Sequence, residues 1–231
     1  MTIKGLQKTT LLDFPGKVAC TVFTAGCNFR CPFCHNASLV VRPSDVEEIS
    51  EESFFNYISK RNGILDGVCI TGGEPLLCAG IKDFIKRIKG LGLLVKLDTN
   101  GSYPDKLEEL LDENLLDYVA MDIKNSKAKY PETIGLTDFP KAIERSIDII
   151  IKKAPDYEFR TTVVRQLHTP QDIASIAEWI KNAKRYFLQS YVDSGDVLCD
   201  GFSAYNASEM LEMLEISNKI LPRTVLRGVD S

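Results

Sequence analysis

No apolar run in the 231-residue chain approaches the roughly 18–20 residues needed to cross a bilayer. The first ten residues, MTIKGLQKTT, lack the apolar segment of a secretory leader. An excess of positive charge is also missing. Lys and Arg number 28 against 32 Asp and Glu, a net charge of −4, so no basic surface is expected to neutralise nucleic-acid phosphates. No low-complexity or linker-like stretch breaks the chain, and residues 1–231 read as one domain. These absences predict a cytoplasmic protein that binds neither membrane nor nucleic acid. With 44% hydrophobic residues it has the means to bury a core.

Cysteine is present in an odd number, seven, and thiols in a reducing compartment stay unpaired, so a disulfide framework is a poor explanation. Cys27, Cys31 and Cys34 fall together, whereas Cys20, Cys69, Cys78 and Cys199 are scattered. Cys20 and Cys69 sit inside strand-like runs and read as small core residues. Cys78 and Cys199 have no assignable role.

Short β-rich runs alternate with helical patterns. Strands are expected at 18–23, 67–71, 93–98, 118–123, 157–164 and 185–189, with a doubtful further one at 224–226. Helices are expected at 51–61 behind a Ser50 cap, and at 81–89, 104–111, 141–153, 170–183 and 208–220, the last capped by Ser208. The polar stretch 125–136 has no apolar period and reads as a loop. Repeated strand–helix alternation means right-handed βαβ units and a parallel sheet. A complete eightfold barrel needs about 250 residues, so six strands here predict an open, partial (β/α)6 TIM-like barrel.

In such folds functional groups gather at the C-terminal ends of the strands. Those ends carry Cys27-Asn-Phe-Arg-Cys31-Pro-Phe-Cys34-His35, then Gly72-Gly73-Glu74-Pro75, Asp98-Thr99-Asn100-Gly101, Asp122-Ile123-Lys124, Arg160 and Gln189. One site collects them. Three thiolates at CxxxCxxC spacing can hold a [4Fe–4S] cluster, which normally takes four, leaving one iron open. The amino and carboxylate groups of S-adenosylmethionine (SAM) suit that position. Two rival readings stand beside it: a Cys3His zinc site with His35, and a CxxC dithiol from Cys31 and Cys34 that leaves Cys27 unused.

The stretch GLQKTTLLDFPGKVACTVFTAGCNFRCPFCHN resembles the N-terminus of radical SAM activating enzymes for glycyl radical enzymes, most of all the activators of anaerobic ribonucleoside-triphosphate reductase. The likeness extends through GGEP, DTNG and DIK and weakens after Arg165. It implies the radical SAM fold and a single cluster on Cys27, Cys31 and Cys34. It implies SAM contacts from Gly72, Gly73, Glu74, Asp98, Thr99, Asp122, Lys124 and Arg160, with Gln189 where some relatives carry a histidine. A monovalent cation beside Asp98 is implied by the same likeness. Phe33 and His35 flank the last thiol, and Phe33 would cover the adenine. Asp13 would line the entrance for a protein substrate, the alternative being a plain turn with Pro15-Gly16. The implied partners are a glycyl radical enzyme and an electron donor such as flavodoxin or ferredoxin. A small-molecule substrate and a zinc-stapled binding module are the competing functions. His168, just before Thr169-Pro170, reads as a surface or cap residue.

Overall fold

Two-residue alternation along the central strands decides the architecture: the sequences LVKLDT, YVAMD and YEFRTTV put apolar residues on one face and their charged residues on the other. The computed structural model describes residues 1–229. In chain order it contains β1 (Ile3–Thr10), β2 (Ala19–Thr24), α1 (Ala37–Val41), α2 (Glu51–Ser59), β3 (Gly67–Gly72), α3 (Ile81–Gly90), β4 (Leu94–Thr99) and α4 (Pro104–Asp112). There follow β5 (Tyr118–Asp122), α5 (Tyr130–Ile134), α6 (Ala142–Lys153), β6 (Tyr157–Val163), α7 (Pro170–Trp179), β7 (Tyr186–Ser190), α8 (Ala207–Asn218) and β8 (Thr224–Arg227).

The eight strands form one sheet in the order β1 to β8. β1 pairs antiparallel with β2, and every later neighbour pair is parallel. This is the expected open barrel, extended at both ends. Thr224–Arg227 does form a parallel strand, pairing Gln189 with Arg227. β1 was not foreseen: it is an edge strand with only Ile3 and Thr10 buried, too mixed to show a clean period.

Outward strand residues such as Val22, Ile70, Leu97, Met121, Phe159 and Leu188 are fully buried under the helices. α3 presents Ile81, Phe84, Ile85 and Ile88 to them, the predicted stripe. Two helix starts are fixed by reciprocal capping, Thr169 with Asp172 in α7 and Asn206 with Glu209 in α8. Asn206 rather than Ser208 therefore caps the last helix. α5 replaces the middle of the expected loop; at five residues, opening Tyr130-Pro131, it is too short to display a helical period.

The inner face is closed at its N-terminal end by the loop between β1 and β2. Phe14 is 3% exposed and packs with Ala19, Tyr118 and Ala120, its ring 6.0 Å from that of Tyr118. Truncating this plug removes a whole buried ring. Phe14→Ala is expected to cost roughly 3–5 kcal/mol, read as a lower denaturation midpoint in anaerobic urea titration. An unchanged midpoint would show that the loop contributes nothing to the core.

Candidate active site

At the opposite end of the barrel, the C-terminal ends of β2 to β7 surround a cleft of about 930 Å³ measured out to its mouth. Its lining includes Cys27, Cys31, Phe33, Cys34 and His35 from the loop after β2, and Gly72 and Gly73 from β3. Asp98 and Thr99 come from β4, Asp122 and Lys124 from β5 and its exit, Arg160 from β6 and Gln189 from β7. The parallel register does this: Asp122 lies opposite Arg160, and Thr162 opposite Gln189.

The charges on this wall form a chain across three strands. Arg160 donates from Nε to Asp122 (2.8 Å) and from Nη1 to Asp98 (3.1 Å). Lys124 donates to the second Asp122 oxygen (2.9 Å), and buried Lys96 pairs with Asp98. Burial alone would raise both carboxyls. Arg160 outweighs it, with Lys96 at Asp98 and Lys124 at Asp122, and holds both below the ordinary carboxylate range. The wall itself balances two cations, Lys124 and Arg160, against two carboxylates, with Lys96 buried behind Asp98.

The glycine pair does something more local than admitting a ligand. Gly73 N–H donates to the Thr24 carbonyl (3.0 Å) and Glu74 N–H to the Gly26 carbonyl (2.8 Å). A Cβ on Gly73 would stand 1.9 Å from the Gly26 oxygen, and one on Gly72 2.4 Å from the Thr24 nitrogen. The cysteine loop and the GGEP turn thus touch backbone to backbone, and Asn36 Nδ2 closes the joint with a bond to the Gly72 carbonyl (2.9 Å).

Glu74 does not line the cleft. Its fully buried carboxylate accepts from the Thr99 hydroxyl (2.8 Å) and from the N–H groups of Asn100 (2.7 Å) and Leu76 (3.1 Å). Burial pushes its carboxyl up to about 7 against those donors. It holds the DTNG turn from behind. That turn has Gly101 at φ +78°, as a tight turn demands.

Asp13 is also absent from this cleft. It belongs to the loop at the N-terminal end of the barrel, where it accepts from the Thr21 hydroxyl (2.5 Å). A strand that enters antiparallel delivers its following loop to the far end of the sheet, so the entrance role expected for Asp13 is not met. Cys69 is buried, as expected, and on the inner side of the sheet its sulfur lies 3.7 Å from Asp98 and 3.8 Å from Lys96.

Sequence reading missed three residues at the site. Asn100 Nδ2 reaches the Cys27 sulfur (3.6 Å), which also accepts from Phe29 N–H (3.4 Å). Asn36 ties the glycine joint. His168 is fully buried, contrary to its surface reading. Its Nδ1 accepts from Val164 N–H (3.0 Å) and its Nε2 donates to the Lys124 carbonyl (2.9 Å). Burial holds it below the ordinary imidazole range, so it stays neutral, and its ring stands edge-on to Phe33 at 6.4 Å. Only the adjacency of Asn36 to His35 and of Asn100 to Thr99 could have pointed to the first two.

The donor set fits an iron–sulfur cluster. Three thiols line one cleft, and N–H groups are directed at one of the sulfurs, as cluster sulfurs prefer. Burial pushes the Cys27 thiol up and the Cys31 thiol up to about 12, so binding iron must displace their protons. A zinc ion needs its ligands converged on one point. Among the described residues no three Cys, His, Asp or Glu side chains are so converged. His35 is engaged elsewhere, donating to the Val192 carbonyl (2.7 Å) and stacked on Tyr191 at 5.3 Å. Three thiols lining one cleft can each take a separate iron of one cubane.

Comparison with known proteins agrees. The family model described as the radical SAM superfamily matches residues 21–180. A Methanocaldococcus jannaschii protein, described as a candidate glycyl-radical enzyme activating enzyme, is 30% identical over 99% of this chain and 96% of its own. The pyruvate formate-lyase-activating enzyme of Clostridium pasteurianum is 29% identical over 82% of this chain and 81% of its own. Among solved structures, Streptococcus suis SuiB bound to its precursor peptide SuiA superposes with a TM-score of 0.72 at 14% identity. That match covers 90% of this chain and 48% of the other, and shows likeness of fold. The chain belongs to the radical SAM superfamily and is an enzyme of that kind, with a [4Fe–4S] cluster and SAM the cofactors its family implies.

Proposed function

We propose that this enzyme generates a glycyl radical on a partner protein, the anaerobic ribonucleoside-triphosphate reductase. One cluster on Cys27, Cys31 and Cys34 would serve it, with SAM at the iron those thiolates leave open. Bound there and reduced by one electron from a flavodoxin or ferredoxin, such a cluster would supply the electron for reductive cleavage of the SAM sulfonium, the source of the radical that would take hydrogen from a glycine Cα.

The chain's own residues bind and orient. Lys124 and Arg160 are the cations that line the cleft and favour the SAM carboxylate, and Arg160 keeps N–H groups beyond the two used on Asp98 and Asp122. Thr99 and the Gly72-Gly73 backbone border the same space, and Glu74 is a positioning residue behind Thr99 and Asn100. Phe33 offers an apolar wall for adenine. Gln189 offers both a donor and acceptors, and His35 borders the cleft with its Nε2 fixed on the Val192 carbonyl. No monovalent cation enters this reading, because both oxygens of Asp98 already face cationic side chains.

The observation that carries the proposal is where the C-terminal segment goes. Among the described residues none beyond Gln189 lines the cleft. The chain after β7 instead lies along the outside of the cysteine loop. Asp196 accepts from the Ser38 hydroxyl (2.6 Å), and Cys199 N–H donates to the Pro32 carbonyl (2.9 Å). A small-molecule pocket would call for covering polar groups from this segment; a protein loop calls for an open side. The activating-enzyme names of the two relatives support the same partner class.

The test mixes anaerobically reconstituted, reduced enzyme with SAM and the reductase, and with a pyruvate formate-lyase as a second glycyl radical enzyme. A glycine-centred paramagnetic resonance signal on the reductase, with stoichiometric 5′-deoxyadenosine, is expected. A signal only on the lyase would reassign the partner, and 5′-deoxyadenosine with no protein radical would point to a small substrate. Separately, Gly73→Ala must push the Gly26 oxygen away and shift the cysteine loop. Iron retention is expected to weaken roughly 10–100-fold, measured as iron per chain after challenge with a chelator. Full retention would mean that the joint does not set the loop.

A further inference from the structure

Asn100 lines the cleft with both polar groups of its side chain engaged, and only 6% of its surface is exposed. Its Oδ1 accepts from Ser102 N–H (2.9 Å) and from the Ser102 hydroxyl (2.6 Å). A backbone N–H can only donate, so that end of the amide must be the oxygen. The amino end is thereby turned the other way, onto Asn28 Oδ1 (3.1 Å) and the Cys27 sulfur (3.6 Å). Its two hydrogens meet two acceptors.

An asparagine in a tight turn ordinarily serves the turn itself. Here other groups hold the turn. Asn100 N–H donates to Glu74 (2.7 Å), Gly101 N–H to the Thr99 hydroxyl (3.1 Å), and the Gly101 carbonyl accepts from the Ser146 hydroxyl (2.7 Å). None of these bonds uses the Asn100 amide. Its amino group reaches a different segment, the loop that follows β2. The Cys27 sulfur also accepts from Phe29 N–H within that loop (3.4 Å). Among the described residues, Asn100 is the only side chain that donates to any of the three loop sulfurs. A neutral thiol is a weak acceptor, which suits a contact of this length. A thiolate carries charge and takes the same bond more strongly.

We infer that Asn100 tunes the electron affinity of the bound cluster: its amide donates to the Cys27 thiolate and raises the cluster's reduction potential. The inference rests on the cluster reading above. Reduction adds negative charge that spreads onto the sulfurs, so a fixed donor favours the reduced state over the oxidised one. The amide is oriented by Ser102 before any metal arrives, so no reorganisation is needed when the charge changes.

Two variants test this on the full chain. Asn100→Ala removes the amide and leaves the turn's other bonds. Asn100→Asp keeps an oxygen for Ser102 and replaces only the nitrogen. Protein carrying an isotopic label at the asparagine side-chain nitrogen is reconstituted without oxygen and without SAM, whose amino group would add a nitrogen of its own. Pulsed paramagnetic resonance of the reduced cluster then reads the nitrogens bonded to it. The parent is expected to show a weak coupling to labelled nitrogen that both variants lose. In an anaerobic redox titration, the Asn100→Ala midpoint is expected to move negative by about tenfold in the reduced-to-oxidised ratio, or ~59 mV for one electron. A coupling that is absent from the parent, or that survives in the variants, overturns the inference. So does an unchanged Asn100→Ala midpoint, the result for a residue that only props its turn. Failure of the parent itself to take up iron and sulfide would instead sink the cluster reading, along with this inference.

Discussion

Arg160 stands between two buried carboxylates, and the wall of the cleft depends on that arrangement. Stripping water from a carboxylate or guanidinium costs several kcal/mol per ion, and only good geometry with opposite charge offsets it. Here the geometry is supplied by register. Asp122 and Arg160 sit opposite each other on adjacent strands, and Asp98 reaches the same guanidinium from β4. Arg160 thus bridges carboxylates from two strands, while Lys96 and Lys124 each pair two residues along the chain with Asp98 and Asp122. The same device continues below, where buried Glu158 accepts both Nη groups of Arg227 at 2.8 and 2.9 Å and the Tyr118 hydroxyl at 2.8 Å. An ion-filled barrel interior is stable only while it is complete. Removing one member leaves its neighbours charged and dry, which ties the cleft's electrostatics to the fold.

The part of this legible from sequence follows from two periodicities. Two-residue alternation placed the charged residues of β4, β5 and β6 on one face, and parallel strands bring every C-terminal end to the same side. The convergence of the cysteine loop, Gly72-Gly73, DTNG, DIK, Arg160 and Gln189 could therefore be read before any coordinates. What escaped was set by tertiary partners. His168 looks like a polar residue before a helix cap. Its burial depends on a carbonyl at Lys124 and an N–H at Val164, which it meets only after the strands have paired. α5 is one turn of helix and leaves no period to find. Of the two readings open for Asp13, the turn before Pro15-Gly16 is the one compatible with its place: its loop directly precedes β2, whose start lies at the end of the barrel opposite the cleft.

Glu74 marks a different limit. Motif reading puts it among the ligand contacts, whereas its carboxylate is buried behind the cleft lining. A carboxylate that follows two glycines at a strand end looks aimed at a ligand. Its three donors, Thr99, Asn100 and Leu76, are instead backbone and hydroxyl groups of the protein. Nearness in sequence to a binding loop says nothing of which way a side chain turns once the neighbouring strand arrives.

The joint between Gly26 and Gly73 shows how the cysteine loop is ordered by protein contacts. Ordering a flexible segment costs conformational entropy for every residue fixed. Five sources of contact meet that cost here: the GGEP turn through Gly73 and Glu74, α1 through the bond from Gly26 N–H to the Leu39 carbonyl, α5 through Ile134, the outer segment through Cys199, and Asn36 on Gly72. All are backbone bonds or end on backbone, so they constrain the path of the loop and leave its thiols free to face the cleft. The loop is gripped from outside and below, and the mouth is left uncovered. Preorganisation of that kind reserves binding energy for what enters. A partner that must insert a peptide segment, and lose its own chain entropy in doing so, gains most from a site that has little left to order.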